Sequence, residues 1–239
     1  MNKKLITALI LLTSNAFANI DYDIEANRMA YLESVGLPLP DSGIKIIPRS
    51  VMDLPKDILE KGAIEEQQML TQGYINKDTS RPLELLNFKS HARMQFLSQP
   101  IMGETSTGLR HSLKELHLGF KLKPIPIKVI AVVPHGSFHP EGWSGAVQFF
   151  DSGKNSCAYA VMNVAVSHTA AELAQEDVTY AINNKATLIA VEGNKHSGFH
   201  YKIDWFDNDN FHTLECANMI YSKQIQDNII KLATQIDIS

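Results

Sequence analysis

Four of the nine histidines stand in two near-identical pentads, HGSFH from His135 to His139 and HSGFH from His196 to His200. Imidazole is a common metal ligand, and His135, His139, His196 and His200 together offer four nitrogens for Zn2+, or three and an open position for water. Water on such a zinc is acidified toward neutrality and becomes a hydrolytic nucleophile. Glu141 or Asp204 would then serve as the base, Asp204 lying on the same polar strand face as His200. Against this, both pentads contain glycine and fall between strand-like runs, so they read as loops, where a spacing of four says little about distance. Pro134 and Pro140 flank the first pentad and favour an extended or turning backbone. The helical HExxH pattern is absent. The same loops carry Phe138, Trp143 and Phe199, aromatic area suited to a protein contact surface. Histidines there would titrate near pH 6.5 and make such a contact pH-sensitive.

Other chemistries find less support. GWSGA around Ser144 approaches the G-x-S-x-G nucleophile elbow, but Ala146 replaces the last glycine and AVQFF continues as a strand where the elbow needs a helix. Asp204, Asp207 and Asp209 lack the glycine and closing glutamate of an EF-hand loop and read as a solvated turn. There is no glycine-rich phosphate loop and no βαβ alternation, which argues against nucleotide binding.

The elements that must position these residues begin after residue 18. MNKKLITALILLTSNAFA has two lysines, an apolar run from Leu5 to Leu12, and Ala16-Phe17-Ala18. That is the layout of a secretory signal peptide, with cleavage before Asn19. The apolar run is shorter than the roughly 20 residues a spanning helix needs. No later run approaches that length, so the mature chain is expected to lack a transmembrane segment and to sit in the periplasm, at the outer membrane or outside the cell. Without Lys3 and Lys4 the chain keeps 20 basic residues against 26 acidic ones, dispersed along its length. No basic run tracks a phosphate backbone, so nucleic acid is not an expected partner. The two cysteines, Cys157 and Cys216, are expected to pair in an oxidising compartment.

The patterning changes near residue 105. Residues 19–104 read as a helical segment or arm: DIEANRMAYLESVGL, then LPKDILEKGAIEEQQMLTQG with Pro55 in its first turn, then SRPLELLNFKSHARMQFL with Ser80 as N-cap and Pro82 in the first turn. Residues 105–239 read as strands. KPIPIKVIAVVP alternates, with prolines that suit an edge. The runs on either side of DSGKN form a hairpin, and Thr169-x-x-Glu172 opens a short helix by the capping-box spacing. VTYAIN, ATLIAVEG, FHYKIDWFD and FHTLECANMIY follow as a meander. Ile225, Ile229, Leu232 and Ile236 then mark a C-terminal helix capped by Ser222 and lying on one sheet face.

The expected fold is therefore α+β: a helical N-terminal segment followed by a mainly antiparallel β-sheet domain with a C-terminal covering helix. In size, signal, helical arm and small β domain the layout resembles small exported accessory subunits of bacterial envelope machines, such as the outer-membrane core complexes of secretion systems. The likeness covers no motif and carries over no residue. It implies a non-enzymatic protein that needs no cofactor and binds other envelope proteins. The alternative is a zinc hydrolase built on the two pentads.

Overall fold

A computed structural model describes residues 43–52, 54–87 and 113–239. The signal, the helix expected after residue 22, and the boundary near residue 105 lie outside the described residues, as do residues 88–97 of the third expected helix. Strand β1 (Gly43–Ile47) opens the described chain. Helix α1 (Lys56–Gln72) follows, entered through Pro55 and ended by Gly73 in the left-handed region. It runs straight through Gly62, and none of its residues is buried. Strand β2 (Ile75–Asn76) and helix α2 (Arg81–Leu86) complete the N-terminal part.

Seven long or medium strands make the β domain: β3 (Ala131–His139), β4 (Gly142–Ser152), β5 (Asn155–Asn163), β6 (Ala170–Ala174), β8 (Lys185–Asn194), β9 (Gly198–Phe206) and β10 (Asn210–Asn218), with the short β7 (Tyr180–Ile182) between β6 and β8. Eight of the strands form one sheet in the order β2-β8-β9-β10-β5-β4-β3, with β7 also paired to β8. It consists of two antiparallel meanders, β3-β4-β5 and β8-β9-β10, joined where β5 meets β10. Cys157 and Cys216 stand directly opposite each other across that seam, and their disulfide staples the two meanders together. Only β2 runs parallel to its neighbour in this sheet. A separate two-stranded parallel sheet joins β1 to β6.

Strand alternation gives the sheet two faces. One is covered by helix α3 (Lys223–Ile238), whose buried Ile229, Ile230, Leu232, Ala233 and Ile236 pack on Tyr201, Ile203, Trp205 and Leu214. Each such aliphatic side chain contributes about 1.5–3 kcal/mol on burial. Ser222 caps α3 as its sequence suggests, its hydroxyl accepting from the Ile225 N–H at 3.1 Å. The other face carries Val133, Val147, Phe149, Ala158 and Ala217, with Leu85 of α2 packed against them.

Three local expectations are corrected. The capping-box helix at Thr169 is strand β6: its backbone pairs with β1, and the Thr169 hydroxyl donates to the Ser167 carbonyl instead of capping anything. The strand expected from Lys123 begins only at Ala131, because Pro124 and Pro126 have no N–H to give a ladder. Ile125 still reaches the core. The first pentad is no loop. It lies inside β3, and the second is half turn and half β9.

Candidate functional site

The register decides which histidines share a face. His200 pairs with Ala217, two residues from Glu215, so His200 and Glu215 project from the same side. His135 pairs with Gly145, which pairs with Met162, which pairs with Phe211, and this row projects from that side too. One histidine from each pentad therefore joins the face of Glu215. His200 Nε2 lies 3.3 Å from Glu215 Oε1, and the other carboxylate oxygen accepts from the Arg81 guanidinium of α2. Burial alone would raise the Glu215 pKa, but the Arg81 charge and the His200 contact hold it well below the usual carboxylate range. Burial lowers the His135 pKa, and the negative charge of Glu215 works against that shift. Beside this cluster Lys202 sits 3.0 Å from Asp204, which also accepts from the Thr213 hydroxyl at 2.6 Å. Arg81, His200, Asp204 and Glu215 are all buried. The cluster is a set of matched charges that locks α2 to the sheet.

The other two histidines go elsewhere. Three strands separate β3 from β9 in the sheet. His139 Nε2 is 2.7 Å from the Ser137 hydroxyl, and its ring meets His168 edge-on at 5.2 Å. Ser144 lies within β4 and is fully buried, accepting from the Ser137 N–H at 2.9 Å; no strand-to-helix elbow forms there. His196 is exposed in the β8–β9 turn, where Asn194 Oδ1 accepts the His196 and Ser197 N–H groups. Among the described residues, no three His, Cys, Asp or Glu side chains gather as a metal site would require. Of the aromatic residues expected on a contact surface, Trp143 and Phe199 are core residues at 0% and 4% exposure. They pack inward on Phe138 and Tyr74 respectively, which leaves Phe138 alone half-exposed.

A second network escaped sequence reasoning. Tyr159, His212 and Trp205 stack as nearly parallel rings, and the Tyr159 hydroxyl is 2.8 Å from His212 Nδ1. His212 Nε2 is 3.0 Å from Asp207 Oδ2. Burial pushes the Tyr159 phenol far up, so it stays protonated and donates to His212. Burial would raise the Asp207 pKa, but the His212 contact and the N–H groups of Asp209 and Asn210 bring it well below its ordinary value. Asp237 near the end of α3 accepts from Trp205 Nε1 at 2.9 Å and pairs with Lys185 at 2.5 Å. The network fastens α3 to the sheet. Only the Asp207–His212 pair was close enough in sequence to be noticed.

Exposed apolar side chains include Met219, Ile220 and Ile238 near the C-terminal helix and a second group in the N-terminal part. Val51 is 66% exposed, and α1 shows Ile64 at 60% and Leu70 at 76%. The segment is held at both ends. Arg49 pairs with Glu66 of α1 at 3.3 Å and with Asp177, while its N–H donates to Glu176 at 2.8 Å. Tyr74, just after α1, packs against Phe199 and Tyr221. An open groove of about 460 Å³ runs between α1 and β2, lined by Asp57, Glu60, Lys61, Ile64, Ile75 and Lys77 among others. Compared with known proteins, the chain matches no family model, no curated protein and no solved structure.

Proposed function

We propose that this chain acts by binding another protein, as a non-enzymatic accessory subunit of a larger assembly in the cell envelope, with residues 43–77 as the contact region. One observation carries the reading: α1 is 17 residues long and fully buries none of them, yet its middle is tied through Glu66 to Arg49 and Asp177, and Tyr74 just after it packs against Phe199 and Tyr221. Most helical stability in proteins comes from packing an apolar face; here Ile58, Leu59 and Met69 are only half-covered, and Ile64 and Leu70 are left in water. A partner surface would supply the missing cover. The disulfide supports an oxidising compartment, and with it export. The buried histidine cluster supports the non-enzymatic side of the reading, since its charges are already matched.

The test is site-specific photo-crosslinking in the producing cell. A photoreactive residue replaces Ile64 or Leu70, and, as control, the exposed Lys231 on α3. Discrete adducts of one partner mass from positions 64 and 70, absent from position 231, are expected. Intact chain that forms no adduct from either α1 position would refute the proposal.

A further inference from the structure

The groove beside α1 exposes a strand edge. Just after β2, the Lys77 N–H faces inward toward the Gly193 carbonyl of β8, so the preceding Asn76 N–H faces outward. It is met there by a side chain: Gln68 Oε1 of α1 accepts the Asn76 N–H at 2.7 Å. Gln72 Nε2 likewise donates to the outward Tyr74 carbonyl at 2.8 Å. Two glutamine amides thus stand where the N–H and C=O groups of one more strand would lie. Side-chain amides are exchangeable partners, because an incoming backbone offers the same donor and acceptor at no net loss of hydrogen bonds.

The groove walls add side-chain selection. Ile64 and Ile75 provide an apolar patch. Three carboxylates, Asp57, Glu60 and Glu65, line it against two amines, Lys61 and Lys77. Lys61 is turned to Glu65 at 3.8 Å and Lys77 to Glu192 at 3.2 Å. Glu60 is 3.6 Å from Lys56. Asp57 makes no ion pair among the described residues, so the groove carries one carboxylate in excess, placed for a cation.

Resting on the binding reading above and naming its site, we propose that the α1–β2 groove takes an extended segment of a partner protein, bearing a Lys or Arg, which adds as a strand to the outer edge of β2. Gln68 and Gln72 hold that edge until the segment displaces them. Main-chain pairing supplies affinity in this mode, and the pockets for alternate side chains supply the choice of sequence.

The probe is a displayed library of random dodecapeptides, selected on the full chain. Three variants read the mechanism. Asn76→Pro removes the outward N–H while leaving the inward bonds of β2 to β8, a substitution edge strands accept. Gln68→Ala with Gln72→Ala unmasks the edge. Asp57→Asn removes the excess carboxylate. Selected peptides are expected to share alternating apolar residues and a basic one. They should bind Asn76→Pro at least tenfold more weakly, the double glutamine variant severalfold more tightly, and Asp57→Asn severalfold more weakly. No enrichment, or peptides that bind all variants alike, would overturn the proposal. The Leu70 crosslink separates the two claims, because Leu70 does not line the groove. If its adduct persists in Asn76→Pro while no peptide is selected, strand addition fails and the binding reading stands.

Discussion

Arg81→Met tests whether the buried charge cluster holds α2 in place. The Arg81 side chain is 3% exposed and that of its partner Glu215 is 9%. Removing one member of a pair this deep leaves the other as an uncompensated charge, at a cost of about 3–5 kcal/mol. The expected loss is therefore at least about 3 kcal/mol. Replacing both partners, Arg81→Met with Glu215→Leu, removes the charge along with its counter-charge and should return most of the stability. Trp143 and Trp205 are both fully buried, so their fluorescence reports urea unfolding of the disulfide-intact chain. The pH dependence supplies an independent reading. Glu215 is held below its ordinary pKa of 4.5, so its contribution is complete above pH 4.5 and falls as the pH drops below it. The slope from this one group is about 1.4 kcal/mol per pH unit. Asp207 and Asp237 are depressed as well and keep their slopes in the double variant. The difference between the two acid profiles therefore isolates Glu215. A loss below about 1 kcal/mol in Arg81→Met, or superimposable acid profiles for wild type and double variant, would refute the reasoning.

Two further outcomes are expected. Replacing both Cys157 and Cys216 with Ala opens a bridge between residues 59 apart, and on the chain-entropy account should cost roughly 4 kcal/mol, measured as a shift in urea midpoint; an unchanged midpoint would show that the seam between the meanders holds without its staple. Gly73→Ala places a Cβ at a φ of 82° and drives it into the Tyr221 hydroxyl, so it should destabilise the chain by at least about 1 kcal/mol and raise amide exchange along α1, whereas unaltered exchange would mean that α1 does not depend on this anchor.

The strands with clean alternation and turn-forming breaks could be read from sequence: the β4–β5 hairpin at Gly153, the β8-β9-β10 meander, and α3 with its Ser222 cap. Each is set by local rules, with polar turns, period-two burial or a period of 3.6. The pairing of β5 with β10 is long-range and had one sequence clue, the cysteine pair that sits on it. β6 was misread because Ala170–Ala174 takes its conformation from β1, more than a hundred residues earlier. The histidine pentads were misread for a subtler reason. In an unbroken strand His135 and His139 would share a face, four residues being an even step. A bulge between His135 and Phe138 sets two residues of β3, Gly136 and Ser137, against Ser144 alone of β4, and the extra residue sends His139 to the opposite side. In the second pentad the turn at His196 breaks the spacing before β9 begins. Two similar pentapeptides thus send one histidine each, His135 and His200, to the face of Glu215 and the other two elsewhere.

The distribution of polar and apolar groups is what the proposed binding role rests on. Here the densest set of ionisable side chains is buried, paired and devoted to docking α2. The Tyr159–His212–Asp207 chain is likewise spent on fastening α3. Such networks give rigidity where their members are paired. At α1, by contrast, Ile64 and Leu70 are left in water on a helix tied at Glu66 to Arg49 and followed by the packed Tyr74. A packed sheet beside a half-covered helix and a strand edge met by glutamine amides reduces the ordering cost of association. That pairing of stiff scaffold and unfinished surface is the physical case for reading this chain as one part of an assembly.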